Sequence, residues 1–126
     1  MVGPDGQSIS HWQLQKIIQN TRQSLINFGV QPHDRVAVVL PQGIEILLSF
    51  LSISTFGVFV PINPELTEAE FTYVLKATKA TSIILNKYSP AAAELAARKV
   101  GIKIIQNLGY SQDGLHFPGA DNKLLQ

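Results

Sequence analysis

Apolar side chains recur along this sequence with two periods, and the two periods alternate. Over residues 10–28 they recur every three or four positions, the spacing of one face of an amphipathic helix. Residues 35–40 are short, β-branched and apolar on both faces, as in a buried strand of a parallel sheet. The same alternation continues to residue 105. The predicted helices are residues 10–28, 44–56, one that begins at Thr67 and one that begins at Pro90; the predicted strands are residues 35–40, 58–62, 81–85 and 102–105.

This alternation predicts an α/β fold with a mostly parallel sheet and helices on both faces, because such strands are joined by right-handed helical crossovers. The order is α-β-α-β-α-β-α-β, and a leading strand over residues 7–9 stays open. We expect strand 36–40 to be central and helix 44–56, apolar almost all round, to be the most buried helix. Residues 1–105 form the α/β subdomain. Residues 106–126 show no periodicity and are predicted to be an irregular tail.

Polar residues and glycines mark the ends of these helices. Ser10 is placed to cap the first helix at its N-terminus, and Gly29 to end it. Thr67 and Glu70 have the spacing of a capping box, in which each side chain bonds the backbone N–H of the other residue. Pro90 is predicted at the first helical position, where its missing N–H costs nothing.

Composition narrows the possible functions. The 126 residues carry a formal net charge of +1, which argues against a nucleic-acid partner. They contain no cysteine, which excludes disulfides and thiolate chemistry. Apolar stretch 44–61 is interrupted by polar residues and falls short of the roughly 18 apolar residues of a membrane span. The N-terminus lacks the basic and apolar regions of a signal peptide. We therefore expect a soluble, cytoplasmic chain without a membrane span.

Few side chains suggest chemistry. His11, His33 and His116 are far apart in sequence, and none has a second metal ligand at suitable spacing. Glu68 and Glu70 could be paired carboxylates for acid–base work, but the capping box explains them more simply. The basic residues of the second half could bind phosphates, although a solvated helix face is favoured. They are Lys76, Lys79, Lys87, Arg98, Lys99 and Lys103, with Glu94 as the one acidic residue between the first and the last.

Hydroxyl groups and helix starts give no stronger signal. Ser49, Ser52 and Thr55 share one side of an apolar helix, where they favour bonds back to the helix or close packing over nucleophilic catalysis. An anion could meet the helix start after Pro41 and Gln42, but Glu45 would repel it. The residues alone thus predict no catalytic, cofactor-binding or metal-binding site in this chain.

The long-range pattern is more specific. Residues 28–45, FGVQPHDRVAVVLPQGIE, resemble the G-v-x-x-G-D-R-V-A-i-x-l-p-N-x-x-E stretch of the adenylate-forming enzymes, which include acyl-CoA synthetases, peptide-synthetase adenylation domains and luciferases. Residues 50–57 (FLSISTFG), 60–64 (VPINP) and 66–75 (LTEAEFTYVL) resemble the segments that follow in that family, in order and with its spacing. Two residues depart from the pattern: His33 replaces a glycine and Gln42 an asparagine. Asn63 points to the acyl-CoA synthetase branch, since adenylation domains typically carry aspartate there.

The resemblance implies that the chain is the N-terminal part of a ligase that uses ATP, magnesium and CoA. The family's phosphate-binding loop ending in Pro-Lys-Gly would follow the matched region, as would its adenine, magnesium and ribose motifs and its C-terminal lysine, and this sequence contains none of them. The chain alone is then expected to be inactive, with the remainder of the parent enzyme or a second copy as partner. The alternative is a stand-alone interaction or oligomerisation module with the same half-domain fold.

Overall fold

The computed structural model describes residues 10–41, 43–111 and 114–117. They form four helices and six strands, and the first eight elements follow the predicted order. None of the helices in these ranges is long and apolar enough to cross a membrane. In chain order the elements are α1 (His11–Asn27), β1 (Arg35–Val38), α2 (Ile44–Ile53), β2 (Val58–Pro61), α3 (Glu68–Ala77), β3 (Ser82–Leu85), α4 (Ala91–Val100), β4 (Lys103–Gln106), β5 (Gly109–Ser111) and β6 (Gly114–His116).

Strands β1 to β4 form one parallel sheet in the order β2-β1-β3-β4. Val36 of β1 stands beside Phe59 of β2 on one side and Ser82 of β3 on the other. The predicted parallel pairing of the first two strands is confirmed, and β1 lies inside the sheet. The predicted leading strand at residues 7–9 lies outside the described residues.

Both faces of the sheet are covered by helices, as predicted. Because side chains alternate along a strand, Val36 and Val38 point to one face and Ala37 and Val39 to the other, and all four are fully buried. The first face packs against α1 and α2, and the second against α3 and α4. The two cores include Leu25, Leu48, Ile53, Ile84 and Ile105 on the first face, and Phe71, Leu75, Ile83, Ala93 and Ala97 on the second.

Helix α2 has more buried residues than any other helix of its length here, yet it is not covered all round. Leu48, Ser49, Ser52 and Ile53 face the protein, whereas Leu47 is 38% exposed and Phe50 is 45% exposed. The helix ends at Ile53 rather than at the predicted residue 56. The turn that follows brings the chain to Gly57, whose N–H donates to the Ile53 carbonyl at 2.7 Å. A Cβ at position 57 would lie 2.8 Å from the Asp34 carbonyl oxygen, so the tight turn into β2 requires glycine.

The predicted helix caps are present, with one shift. Ser10 and Gln13 form a reciprocal capping box on α1, as Thr67 and Glu70 do on α3. Gly29 has φ +111°, as expected of the residue after a helix C-cap. The prediction that Pro90 occupies the first helical position is wrong by one residue. Its ψ of 146° is extended, so it is the N-cap and α4 begins at Ala91.

The prediction of an irregular tail is wrong for the part that the structure describes. Gln106 completes β4, and β5 and β6 form an antiparallel hairpin in which Gly109 pairs with His116. Leu115 and Phe117 are buried in the core beside α1 and α2. The hairpin is attached to α1 by the Leu115 N–H, which donates to Thr21 Oγ1 at 3.1 Å inside the protein. Residues 118–126 lie outside the described residues.

We expect Gly114→Ala to destabilise the protein through the attachment of this hairpin. Gly114 has φ +113°, and an added Cβ would lie 2.5 Å from Thr21 Oγ1 and 3.0 Å from the Ile17 carbonyl oxygen. Both the backbone strain and the clash should lower the free energy of unfolding, together by about 3 kcal/mol. Gly101→Ala is the matched control, because Gly101 has φ +86° with nothing within 4 Å of its added Cβ, and it should cost only about 1 kcal/mol. If urea denaturation showed that the two variants lose equal free energy of unfolding, the proposed contact of the hairpin with α1 would be contradicted.

Candidate functional site at the carboxyl edge of the sheet

The carboxyl ends of the four parallel strands meet at one edge of the sheet, the place where open α/β proteins bind their ligands. Strand order reverses between β1 and β3, so the loops after these two strands flank the crevice. Clefts of about 160, 260, 270 and 400 Å³ lie along this edge. Small-molecule sites usually span about 300 to 1,000 Å³. Three of these clefts are below that range, and the 400 Å³ cleft is near its lower end.

Hydrogen bonds tie the loops of this edge together. Glu45, in the first turn of α2, accepts a hydrogen bond from Asn86 Nδ2 at 3.2 Å, and Asn86 directly follows β3. The Ser89 hydroxyl in the same loop donates to the Val39 carbonyl at 2.5 Å, just past β1. Asn86 Oδ1 accepts from the Tyr88 N–H at 2.9 Å. The loops at the crevice are therefore held in place by side-chain contacts that join β1, β3 and α2.

The charge at this edge is unfavourable for an anion. The start of α2 offers free backbone N–H groups, and an anion docking there would gain from the helix dipole. The Glu45 carboxylate already occupies this first turn and would repel it. Gln42, one of the residues considered for this role, lies outside the described residues.

Asn107 is a second asparagine at the end of a strand. It follows β4, is only 4% exposed, and lines the 160 Å³ cleft together with Glu45 and Asn86. Its Oδ1 accepts from the Gly109 N–H at 3.1 Å, whereas its Nδ2 has no hydrogen-bond partner in the described part of the chain. Sequence reasoning missed Asn86 and Asn107. The signal available was a polar residue directly after each of two consecutive apolar strands.

The histidines considered from sequence lie on separate elements. His11 is in the first turn of α1, with Nε2 3.2 Å from Gln15 Nε2, and His33 is in the turn before β1. His116 lies in β6, with Nε2 2.8 Å from the Ser111 hydroxyl. Within residues 10–41, 43–111 and 114–117, no group of three or more histidines and carboxylates could hold a metal ion.

The acidic and hydroxyl residues have structural contacts. Glu70 caps α3, and Glu68 lies 3.9 Å from the Lys99 ammonium in a solvent-exposed pair. The Ser49 hydroxyl donates to the Glu45 carbonyl at 2.9 Å, and the Thr55 hydroxyl donates to the Ser52 carbonyl at 2.7 Å, as predicted. Ser52 is fully buried and its hydroxyl has no partner among the described residues, so it serves close packing of α2.

The basic residues of the second half are spread over several elements. Lys103 of β4 donates to the Phe28 carbonyl at 2.7 Å and so caps the end of α1. Arg98 of α4 pairs with Glu94 at 3.5 Å, and Lys87 lies over the Tyr88 ring. These separate contacts favour the solvated-surface interpretation over a single phosphate-binding patch.

Comparison with known proteins adds the family. A family model described as AMP-binding enzyme matches residues 1–122. The chain belongs to the AMP-binding enzyme family. Among curated relatives, 4-coumarate–CoA ligase 1 of Petroselinum crispum is 32% identical over 117 residues, covering 91% of this chain and 21% of that protein. Probable CoA ligase CCL9 of Humulus lupulus is 31% identical over 108 residues, covering 85% and 21%.

The fold agrees with that of solved structures. The crystal structure of ATP-bound MatB from Rhodopseudomonas palustris superposes with a TM-score of 0.75 at 22% identity, covering 94% of this chain and 23% of that one. This superposition confirms the predicted fold class, and the family match confirms the predicted resemblance to the adenylate-forming enzymes. The chain spans about a fifth of the length of the relatives it matches.

The AMP-binding pattern can now be explained residue by residue. Gly57 is required by its contact with the Asp34 carbonyl, and the Asn63 side chain accepts from the Glu65 N–H at 2.9 Å, which shapes the turn before α3. His33 stands where the pattern has glycine, and its φ is +68°. The backbone at this position is therefore left-handed, a conformation that favours glycine, and this chain adopts it with histidine.

Replacing His33 by glycine should stabilise the protein. A side chain at φ +68° costs about 1 kcal/mol relative to glycine, and the larger backbone entropy of glycine in the unfolded chain offsets part of that gain. We expect His33→Gly to raise the free energy of unfolding by about 0.5 kcal/mol, measured by urea denaturation. His33→Ala is the control that keeps a Cβ, and it should bring no gain. Stabilisation by alanine as large as by glycine would contradict the backbone explanation.

The capping box on α3 should make stability depend on pH. Hydrogen bonds from the Thr67 backbone, and secondarily its side chain, hold the pKa of the Glu70 carboxyl below its usual value of 4.5. A lowered folded-state pKa stabilises the protein above the unfolded-state pKa, and the contribution is lost as pH falls through the folded-state value. Wild type should therefore exceed Glu70→Gln in stability at pH 7, and the difference should shrink below about pH 4.5. A difference that stays constant from pH 7 to pH 3 would contradict this role of the ionised carboxylate.

Proposed function

We propose that this chain is the N-terminal part of an AMP-forming acid–CoA ligase. In that reaction a carboxylate oxygen attacks the α-phosphorus of ATP, releasing pyrophosphate and forming an acyl-AMP. The CoA thiol then attacks the acyl carbon, losing its proton, and AMP leaves as the thioester forms. The observation that carries the proposal is the family match over residues 1–122, supported by CoA-ligase relatives at 31% and 32% identity.

The residues of this chain would supply framework rather than phosphate chemistry. ATP, magnesium and CoA are cofactors and substrates of the proposed whole enzyme. Stabilising phosphoryl groups in a transition state needs positioned cations and backbone donors. The family's Gly-rich loop and basic motifs are absent from the sequence, and the crevice at the carboxyl edge holds the Glu45 carboxylate. These residues do not fit a triphosphate, and the proposed chain is not catalytically competent alone.

The proposed partner is the remainder of the enzyme, and the proposed location is the cytoplasm. The alternative, a stand-alone interaction module, is not favoured by the CoA-ligase relatives. It differs from the proposal in one respect that can be measured: a module has no role in thioester formation. Restoring activity to a ligase that lacks this segment therefore separates the two.

We expect no carboxylate-dependent ATP–pyrophosphate exchange from the isolated chain, because it lacks the groups that hold the phosphates. ATP should bind no more tightly than the millimolar range, about −4 kcal/mol or weaker. The ligase role itself is tested with a chimera in which this chain replaces the matched segment of 4-coumarate–CoA ligase 1. It should form the CoA thioester of 4-coumarate.

The matched control chimera carries Gly57→Val, which places a branched side chain against the Asp34 carbonyl. It should lose both the fold of the segment and thioester formation. Exchange by the highly purified isolated chain would overturn the proposed incompetence. An inactive first chimera whose segment is folded by circular dichroism would overturn the ligase role.

A further inference from the structure

Within residues 10–41, 43–111 and 114–117, one apolar surface is left open at the β2 side of the sheet. It consists of Leu47 and Phe50 of α2 and Phe59 of β2, and we refer to it as the α2–β2 face. Leu47 is 38% exposed and Phe50 is 45% exposed, while the half-buried Phe59 ring packs edge-on against Phe50 at 5.2 Å between centroids. Single exposed apolar residues are ordinary, but a contiguous group beside a strand edge indicates an interface.

The backbone edge of β2 is part of this surface. Among the residues that the structure describes, β2 is the outermost strand of the sheet. The Val58 N–H donates inward to the carbonyl of Asp34, just before β1, and the Ile62 N–H donates to the carbonyl of Val38 in β1. Alternation along the strand therefore turns the N–H and C=O of Phe59 toward the open edge. Pro61, the next residue with the same orientation, has no N–H to offer. The open edge thus has one complete donor–acceptor pair, centred on Phe59.

A single donor–acceptor pair of this kind is complementary to itself. In an antiparallel pair of strands, two directly opposed residues exchange both of their N–H···O=C bonds. Two copies of β2 related by a two-fold axis at Phe59 would make this exchange and join the two sheets.

The same axis brings the helices together. Helix α2 packs on both β1 and β2 and so lies above that pair of strands. With strands about 4.8 Å apart, two copies of α2 on the joined sheet would lie about 10 Å apart, which is the packing distance of helices. Phe50, on the β2 side of its helix, would meet its counterpart. Backbone pairing and apolar contact therefore require the same arrangement.

Repulsion between like charges does not oppose this arrangement. A two-fold axis brings each side chain near its own copy, so a charged residue on the face would meet a like charge. Residues 44–64 contain one charged side chain, Glu45, and its carboxylate is bonded to Asn86 at the carboxyl edge. The face is small, however, and interfaces well below about 1,200 Å² in total belong to weak complexes.

We propose that a second copy of this chain docks on the α2–β2 face through antiparallel pairing of the two β2 strands across a two-fold axis at Phe59. The dimer is weak, with a dissociation constant in the micromolar range, about 10 μM. The inference goes beyond the proposed function and does not depend on it, since it concerns the chain by itself. Sedimentation measures it without reference to ligase activity.

Sedimentation equilibrium of the full 126-residue chain between about 1 and 100 μM should show a reversible monomer–dimer equilibrium. Phe50→Lys places two ammonium groups near the axis and should raise the dissociation constant at least tenfold. Pro61→Val restores an N–H that can donate to the Gly57 carbonyl of the second copy, so it should lower the constant about tenfold. Tyr73→Lys is the matched control, because Tyr73 is 73% exposed on α3 at the opposite face of the sheet, and it should leave the constant unchanged.

Crosslinking tests the register. The chain has no cysteine, so Phe59→Cys and Tyr73→Cys each carry a single thiol. A short bis-maleimide should join two copies of the first variant and not of the second, since opposed residues at the axis lie about 5.5 Å apart between Cα atoms. A monomer at every concentration would overturn the proposal. So would a dimer that Phe50→Lys and Tyr73→Lys affect equally while both variants stay folded, or one that Tyr73→Cys crosslinks as well as Phe59→Cys.

Discussion

Burial of β1 on both of its faces is the constraint on which the rest of this structure depends. The residues from Val36 to Leu40 are at most 3% exposed, so each face of the strand must be covered by an apolar layer of its own. Two pairs of helices supply these layers. The strands on either side of β1 form hydrogen bonds with its backbone N–H and C=O groups. A parallel arrangement follows because each strand is joined to the next by one of the covering helices. The helices on both faces are thus a consequence of one doubly buried strand.

The same constraint explains why a family can be recognised here from residues that shape the turns. The pattern that identifies the AMP-binding enzymes in this chain consists of residues that let strands enter and leave the buried sheet. Gly57 permits the backbone to pass the Asp34 carbonyl, and Asn63 closes the turn before α3. His33 adopts the left-handed conformation that the pattern usually assigns to glycine. These are requirements of geometry, and they persist whatever chemistry the remainder of a protein supplies.

The two edges of the sheet differ in kind, and this bears on function. At the carboxyl edge, side-chain hydrogen bonds through Glu45, Asn86 and Ser89 join the loops into a rigid border. At the β2 edge, the described part of the chain leaves an apolar surface and the backbone edge of the strand uncovered. A polar, well-bonded edge suits a frame around a ligand-binding crevice that other residues complete. An apolar edge suits contact with protein.

The amino-acid sequence by itself determined the features that depend on near neighbours. Apolar periodicity placed helices α1 to α4 and strands β1 to β4. The capping boxes of Ser10 and Thr67 join residues only three positions apart. Only the tertiary structure decided the strand order, the end of α2 at Ile53 and the hairpin of β5 and β6. That hairpin has no periodicity of its own, because its conformation is held by a hydrogen bond to Thr21, 94 positions earlier, and by burial of Phe117 in the core. The contact of Glu45 with Asn86 joins residues 41 positions apart. Local patterns encode local hydrogen bonds, whereas a contact between distant residues exists only after the sheet has brought them together.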